Sequence, residues 1–240
     1  MYKNKRIIAI VPARGGSKGL PKKNILEING KPLIAWTIGS ALQSKLIDKV
    51  FVSTDSEEIA LMAEKYGTKV PFLRPDEFAK DSSPSSEAIL HAIESFRNNN
   101  EIFDYIALLE PTSPLRKKND IDLAIKKLLD NEKVDSLVSV GEVHTEHPMI
   151  IKKMDSEGFV SPYVDNIKSI YQRQQADKAY FPYGVIYLSK IDSYEKHKTF
   201  YLKKTLSYEI ERWQNYEIDD KIDFIIVEQI IKKYLGEING

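Results

Sequence analysis

The sequence predicts an α/β fold with a mostly parallel sheet, because short apolar segments alternate with amphipathic helical segments over most of the chain. The apolar segments are rich in β-branched residues and are predicted to be buried strands at 6–13, 49–53, 69–73, 105–109 and 136–140. The helical segments between them cover 32–44, 56–66, 85–97 and 119–130. A sheet of this kind is covered by helices on both faces and binds ligands beyond the carboxyl ends of its strands.

The alternation stops after Gly141. Two apolar segments, 149–154 and 159–164, flank the turn sequence Asp155-Ser-Glu-Gly158 and predict a hairpin. A last strand is predicted at 185–188 and a last helix at 221–235. We therefore expect one domain over residues 1–240, with residues from about 141 to 183 forming an inserted antiparallel subdomain. Such an insertion serves either as a dimerisation arm or as a lid.

The composition excludes several classes of protein. The 240 residues include 35 Lys and Arg, 35 Asp and Glu and no cysteine. Disulfides and thiolate metal sites are thus excluded, and the neutral balance gives no general attraction for nucleic acid. The apolar run 7–11 after the basic N-terminus is too short for a signal peptide or a membrane span. We expect a cytoplasmic protein that binds neither nucleic acid nor membrane.

The strongest local signal is the loop after the first strand, Pro12-Ala-Arg-Gly-Gly-Ser-Lys-Gly-Leu-Pro-Lys-Lys-Asn24. Its glycines allow positive φ and a close approach of backbone to ligand, and its N–H groups can form a nest for an anion. It carries four cations: Arg14, Lys18, Lys22 and Lys23. The P-loop and dinucleotide motifs are both absent. A polyphosphate ligand is predicted at the carboxyl edge of the sheet.

This loop resembles the nucleotide-binding loop of the acylneuraminate cytidylyltransferases, which make CMP-sialic acid and related CMP-nonulosonates. Further similar motifs follow in order along nearly the whole chain: 49–55, Leu73-Arg-Pro75, Asp81-Ser-Ser-Pro-Ser85, Leu108-Leu-Glu-Pro-Thr-Ser-Pro-Leu-Arg116, Glu146-His-Pro148, Arg173-Gln-Gln175, 182–187 and Tyr216-Glu-Ile-Asp219. The resemblance implies a Rossmann-like nucleotidyltransferase fold and a Mg²⁺-dependent homodimer whose inserted arm is exchanged. It also implies that the substrates are CTP and an acidic nine-carbon sugar.

The resemblance assigns roles to individual positions. The nucleotide would be bound by Arg14, Gly15, Gly16, Ser17, Lys18, Lys23, Asn24, Arg74, Ser83 and Ser85. The sugar would be bound by Glu110, Arg173, Tyr187, Phe200 and Tyr201. Glu217 and Asp219 would hold Mg²⁺, and the residues implied in catalysis are Arg14, Lys18, Lys23 and Asp219.

The physical chemistry of these residues suits such a reaction. A hydroxyl that attacks an α-phosphorus meets negative charge, which cations and a metal offset. Mg²⁺ prefers oxygen ligands, and residues at i and i+2 of an extended segment, such as Glu217 and Asp219, project to the same side. Asp219 and Asp220 are also candidates to cap the last helix.

The sequence departs from the family pattern at four positions. Glu110 stands where the sialic acid enzymes usually have Gln, Tyr183 where they have Asn, and Phe181 where a basic residue is frequent. Glu217 stands where the metal pair usually has Asp. The first three changes favour a sugar other than N-acetylneuraminic acid, such as legionaminic or pseudaminic acid.

Other functions compatible with the sequence stay open. One is a nucleotidyltransferase that acts on a different sugar or on a sugar 1-phosphate, or that uses GTP, since no residue taken by itself fixes the base. A nucleotide-sugar glycosyltransferase is a second, although the dense basic loop fits a triphosphate better. A non-catalytic CTP-binding homologue is a third, and it would bind CTP without releasing pyrophosphate.

Overall fold

The computed structural model describes residues 2–17, 19–164 and 177–238. The strands are β1 (Ile7–Pro12), β2 (Glu27–Ile28), β3 (Lys31–Pro32), β4 (Lys49–Ser53), β5 (Tyr105–Leu108), β6 (Ser136–Glu142), β7 (Lys152–Met154), β8 (Val160–Pro162), β9 (Tyr180–Lys190) and β10 (Thr205–Glu209). The α-helices are α1 (Leu33–Gln43), α2 (Glu57–Lys65), α3 (Ser85–Asn98), α4 (Asp120–Leu129), α5 (Ile191–His197) and α6 (Lys221–Tyr234).

The central sheet has six strands in the order β10-β6-β9-β5-β1-β4. β1 is parallel to β4 and β5, and β10 is parallel to β6. Only β9 runs antiparallel, and it lies between β5 and β6. The prediction of a mostly parallel α/β sheet is confirmed.

Two apolar layers cover the faces of this sheet. From β1, Ile7 and Ala9 enter a buried cluster shared with α1, α2 and α4. Ile8 and Ile10 enter a second cluster that includes side chains of α3 and α5. The alternation follows from the twofold period of side chains along a strand. Helices on both faces leave the strand ends free for a site.

The predicted strand at 69–73 is wrong, since this segment has no sheet pairing. Pro71 lacks a backbone N–H and cannot donate to a ladder. The apolar pattern there reflects packing instead: the ring of Phe72 lies 4.7 Å from that of Phe51 and 5.2 Å from that of Phe96. β2, β3, β10 and α5 were not predicted from the sequence, and only the middle of β9 was predicted.

A bulge in β9 directs backbone groups away from the ladder. Val138 pairs with Tyr187 and Val140 with Pro182, so residues 183–186 lie opposite Ser139 alone. The Ser139 hydroxyl lies 2.5 Å from the Tyr183 carbonyl oxygen and accepts from the Ile186 N–H at 2.9 Å. Bulges of this kind change the direction of a strand near functional sites.

The predicted hairpin is confirmed as β7 and β8. Its turn depends on Gly158, which has φ of +89°, and on Asp155, whose Oδ1 accepts from the Phe159 N–H at 2.9 Å. A positive φ favours glycine at this position. All residues of both strands are exposed. Within the described residues, no helix combines the length and apolar character needed to cross a membrane.

Candidate active site

A cavity of about 520 Å³ lies beyond the carboxyl ends of β1, β4 and β5. Its wall includes Pro12, Arg14, Ser17, Gly19, Lys23, Asn24, Arg74, Phe78, Lys80, Asp81, Ser83, Pro84, Ser85, Ala88, Glu110, Pro111, Thr112 and Asp219. Most of the residues implied in nucleotide binding therefore meet at one place, although they come from three separate segments. Lys18 and Arg173 lie outside the described residues.

The loop after β1 is fixed by polar contacts on both sides. Asn24 is buried, and its Nδ2 donates to the Arg14 carbonyl oxygen at 3.1 Å. The Gly15 N–H donates to Asp55 Oδ1 at 2.9 Å. The Arg14 guanidinium pairs with Asp81 Oδ1 at 2.7 Å across the cavity mouth. Any anion bound by Arg14 must compete with this carboxylate.

The glycines of this loop act through close packing. The expected positive φ is wrong for Gly15, Gly16 and Gly19, since the described glycines with positive φ are Gly30, Gly67 and Gly158. A Cβ on Gly19 would lie 2.4 Å from the Asp219 carbonyl oxygen. Only glycine therefore lets the loop touch the segment that carries Asp219.

The adjacent lysines 22 and 23 point in different directions. Lys23 opens a short 3-10 helix, and its Nζ donates to the Ile218 carbonyl oxygen at 2.6 Å and lies 3.1 Å from Asp219 Oδ1. The Lys22 ammonium pairs with Glu58 of α2 at 2.8 Å. Lys23 is thus a cation of the cavity, and Lys22 belongs to the outer surface.

Arg74 lines the same cavity and comes from a different segment than Lys23. It is buried, its Nε donates to Ser53 Oγ at 3.1 Å, and its backbone N–H donates to the Thr54 carbonyl oxygen at 2.7 Å. Burial lowers the pKa of Arg74. Ser83 Oγ donates to the Glu77 carbonyl oxygen at 2.6 Å, and Ser85 is the first residue of α3. These contacts hold the wall in shape without a ligand.

An aromatic cluster adjoins the cavity at Glu110. The ring of Tyr187 stacks on that of Phe200 with centroids 5.6 Å apart, and the ring of Tyr201 lies 6.5 Å from Tyr187. Burial raises the pKa of Tyr187, and the neighbouring Glu110 carboxylate raises it further. The described residues implied in sugar binding therefore lie together.

Asp219 and Glu217 have different surroundings. The Asp219 side chain is 80% exposed and lines the cavity. Asp220 caps α6 instead, because its Oδ1 accepts from the Ile222 N–H at 2.7 Å. Glu217 Oε1 accepts from Ser113 Oγ at 2.6 Å and from the Gly184 N–H at 2.5 Å. Asp219 thus faces the cavity beside the Lys23 ammonium, while Oε1 of Glu217 is already hydrogen-bonded to the protein.

Arg116, for which no role was predicted from the sequence, has no exposed surface and hydrogen-bonds to the backbone of Glu110. Its guanidinium donates to the carbonyl oxygens of Val185 at 2.7 Å, Glu110 at 2.8 Å and Gly184 at 2.9 Å. A fourth hydrogen bond joins Nη1 to Thr37 Oγ1 at 2.7 Å. In the sequence, Arg116 is marked only by its position at the end of the motif 108–116. That position does not reveal which groups it would hydrogen-bond.

Gly184→Ala should displace the Glu110 side chain. A Cβ on Gly184 would lie 2.7 Å from Glu110 Cβ and 2.8 Å from its Cγ, so one of the two segments has to move. Overpacking of this kind costs about 1–3 kcal/mol. Urea unfolding should show that loss, and Gly16→Ala is the matched control because a Cβ there meets nothing within 4 Å. Equal stability of the two variants would contradict the contact.

The ionisation of Glu110 should make stability depend on pH. Burial raises its pKa from 4.5 to about 7, and the Glu217 carboxylate adds to the shift, while Arg116 opposes it. Because the folded state holds this proton more tightly, the contribution of Glu110 to stability is greatest below about pH 4.5 and is lost as pH rises through 7.

Glu110→Gln should remove that dependence. We expect the free energy of unfolding of the wild type, relative to this variant, to fall by up to about 3 kcal/mol across that interval. Urea titrations in EDTA without nucleotide measure it. A difference between the two proteins that is constant with pH would show that Glu110 has an ordinary pKa.

Comparison with known proteins identifies the family. Residues 8–234 match the family described as Cytidylyltransferase. The chain belongs to the cytidylyltransferase family. It is 38% identical over 228 residues to the N-acylneuraminate cytidylyltransferase of Escherichia coli O18:K1:H7. The match covers 95% of this chain and 52% of that protein.

This cytidylyltransferase is also similar to a second curated relative and to a solved structure. It is 35% identical over 229 residues to the CMP-N,N'-diacetyllegionaminic acid synthase of Legionella pneumophila, covering 95% of this chain and 97% of that one. The fold is also similar to the solved structure of CMP:2-keto-3-deoxy-manno-octonic acid synthetase complexed with CTP, with a TM-score of 0.71 and 16% sequence identity. This superposition covers 95% of this chain and 99% of that chain. The latter likeness concerns the fold. The chain spans about half the length of the N-acylneuraminate cytidylyltransferases it matches.

Proposed function

We propose that this protein transfers CMP from CTP to the anomeric hydroxyl of an acidic nine-carbon sugar and releases pyrophosphate. The observation that carries the proposal is the arrangement of the cavity. Arg14, Lys23, Asp219, Arg74, Ser85 and Glu110 all line it, and Glu110 also neighbours Tyr187 of the aromatic cluster. A triphosphate and an acceptor can thus share one opening.

In the proposed reaction, the acceptor oxygen forms a bond to the α-phosphorus while the bond from that phosphorus to the bridging oxygen of the β-phosphate breaks. The proton of the acceptor hydroxyl passes to solvent water, and pyrophosphate leaves with the bridging oxygen. Arg14 and Lys23, with Lys18, offset the charge of the triphosphate and of the leaving group. Because the Lys23 ammonium is held by the Ile218 carbonyl oxygen, it needs no reorganisation during the reaction.

The residues of the cavity fit a Mg²⁺ ion bound together with the nucleotide. Among the described residues no three His, Cys, Asp or Glu side chains form a group that could hold a metal alone. Mg²⁺ is usually bound by one or two carboxylates with phosphate oxygens and water, and the exposed Asp219 offers such a carboxylate. When bound, Mg²⁺ supplies charge that stabilises the transferring phosphoryl group.

The names of the relatives favour a nonulosonic acid as acceptor, and Glu110 favours one other than N-acetylneuraminic acid. Pyrophosphate release should be measured with CTP and Mg²⁺ against N-acetylneuraminic, legionaminic and pseudaminic acids. The eight-carbon 2-keto-3-deoxy-manno-octonic acid and the nucleotides ATP, GTP and UTP serve as controls. Release that requires CTP and a nine-carbon acid supports the proposal. CTP binding without release with any acid would sink it and favour a non-catalytic homologue.

We also propose a cytoplasmic homodimer in which the β7–β8 hairpin contacts the second copy. The hairpin region exposes Met154 at 73%, Phe159 at 68%, Val160 at 70% and Tyr163 at 63%. Contiguous exposed apolar side chains typically mark an interaction surface. Sedimentation velocity should give a dimer for the wild type and a monomer for Phe159→Asp. A wild-type monomer, or a Phe159→Asp dimer of unchanged affinity, would contradict this surface.

A further inference from the structure

Glu217 has a different structural position from Asp219, although one residue separates them. Asp219 lines the cavity, whereas Glu217 is half-buried and does not line it. Ile218 between them is buried in the apolar cluster that also contains Leu115 and Val227. The chain therefore enters the protein core between the two carboxylates.

Both donors to Glu217 Oε1 belong to segments that hold Glu110. One is Ser113 Oγ, at 2.6 Å, and the backbone N–H of Ser113 donates to the Glu110 carbonyl oxygen at 3.2 Å. The other is the Gly184 N–H, at 2.5 Å, and the Gly184 carbonyl oxygen accepts from the Glu110 N–H at 3.1 Å. Glu217 thus joins the two neighbours that fix the backbone of Glu110.

The chemistry of these contacts explains why position 217 carries a glutamate. Hydrogen bonds to a carboxylate are short and stronger than neutral ones. A cation at Oε1 would have to displace one of these donors, which would leave Ser113 Oγ or the Gly184 N–H without its partner. Glutamate is one methylene longer than aspartate and reaches past the cavity surface to both donors.

We propose that Glu217 is a positioning residue for the acceptor pocket, which holds Glu110 through Ser113 and Gly184, and that Asp219 is the carboxylate that serves the metal. The proposal rests on the proposed function for its acceptor. It differs from the role that the family resemblance implies for Glu217. Removal of Glu217 should therefore affect the acceptor side of the site and leave metal affinity intact.

The test compares Glu217→Ala, Glu217→Gln and Ser113→Ala with Asp219→Asn. Metal affinity is measured as free Mn²⁺ by electron paramagnetic resonance in the presence of CTP, without acceptor. Acceptor binding is measured as KM for the best acid of the panel. The local structure is followed by amide hydrogen exchange of residues 108–113. Glu195→Gln is the carboxylate control, since Glu195 pairs at 2.8 Å with Arg97 near the far end of α3.

We expect Glu217→Ala and Ser113→Ala to raise the acceptor KM about tenfold. Amide exchange of 108–113 should also rise in both. Glu217→Gln keeps an acceptor oxygen and should restore most of the loss, and the Glu217→Ala, Ser113→Ala double variant should be no worse than Glu217→Ala. Mn²⁺ affinity should drop at least tenfold only in Asp219→Asn.

Two results would overturn the proposal. In the first, Glu217→Gln weakens Mn²⁺ binding as Asp219→Asn does, which makes Glu217 a ligand. In the second, Ser113→Ala and Glu217→Ala leave amide exchange of 108–113 unchanged. If the wild type releases no pyrophosphate with any acid, the proposed function fails. The Mn²⁺ and exchange measurements still decide the role of Glu217, because neither needs turnover.

Discussion

Lys23→Ala should lower kcat/KM for CTP by about 10²–10³-fold, the loss typical of removing one preorganised charge that stabilises a transition state. The Lys23 side chain is 14% exposed and its Nζ is fixed at the Ile218 carbonyl oxygen, so it is ordered before CTP binds. The same substitution removes the ammonium beside Asp219 Oδ1. Steady-state kinetics with CTP as the varied substrate measure the effect.

Lys22→Ala is the matched control for this substitution. It removes the same charge from the neighbouring position, but the Lys22 ammonium is exposed and pairs with Glu58 outside the cavity. An exposed pair of this type contributes about 0–1 kcal/mol. We expect near-normal kinetics for Lys22→Ala. If it lost as much activity as Lys23→Ala, net loop charge would explain the result and the assignment of Lys23 to the triphosphate would be wrong.

Arg116→Met should destabilise the fold by about 3–5 kcal/mol, as expected when one member of a buried charged network is removed. Methionine has a similar length but no donors. The carbonyl oxygens of Val185, Glu110 and Gly184 would lose their donors in a region closed to water. The free energy of urea unfolding measures the loss.

Arg97→Met provides the comparison for a surface arginine, because Arg97 is about half exposed and pairs with Glu195. It should cost less than about 1 kcal/mol. Arg116→Lys should fall between the two, since one ammonium keeps the charge but cannot reproduce the planar fork of donors. Equal stability of Arg116→Met and Arg97→Met would show that the buried hydrogen bonds contribute nothing net.

Local sequence patterns were sufficient for the fold class. The buried strands β1, β4, β5 and β6 were predicted because uninterrupted β-branched runs are typical of strands covered on both faces. The helices between them were predicted by their period. The structure adds the cap of α2, where the Ser56 hydroxyl accepts from the Ile59 N–H. The segment 69–73 failed because an apolar pattern reports burial, which a segment interrupted by Pro71 achieves without pairing.

The sequence also determined where the site would lie. A glycine-rich basic loop after the first strand had to reach the carboxyl edge of a parallel sheet, and Arg14 and Lys23 do line the cavity there. The order of the motifs determined the family. These inferences depend only on residues close in sequence, or on the general geometry of parallel sheets.

Contacts between distant segments were decided by the tertiary structure. Burial of Arg116 and the different surroundings of Glu217 and Asp219 depend on how β9 inserts antiparallel between β5 and β6. Its bulge opposite Ser139 turns the Gly184 amide and carbonyl toward Glu217 and Arg116. No local pattern encodes this register, because it is set by packing and hydrogen bonds across segments about 70 residues apart. The sequence thus predicted that Arg14 and Lys23 lie at this edge of the sheet, and the tertiary structure decided that Asp219 lines the cavity while Glu217 is hydrogen-bonded to Ser113 and Gly184.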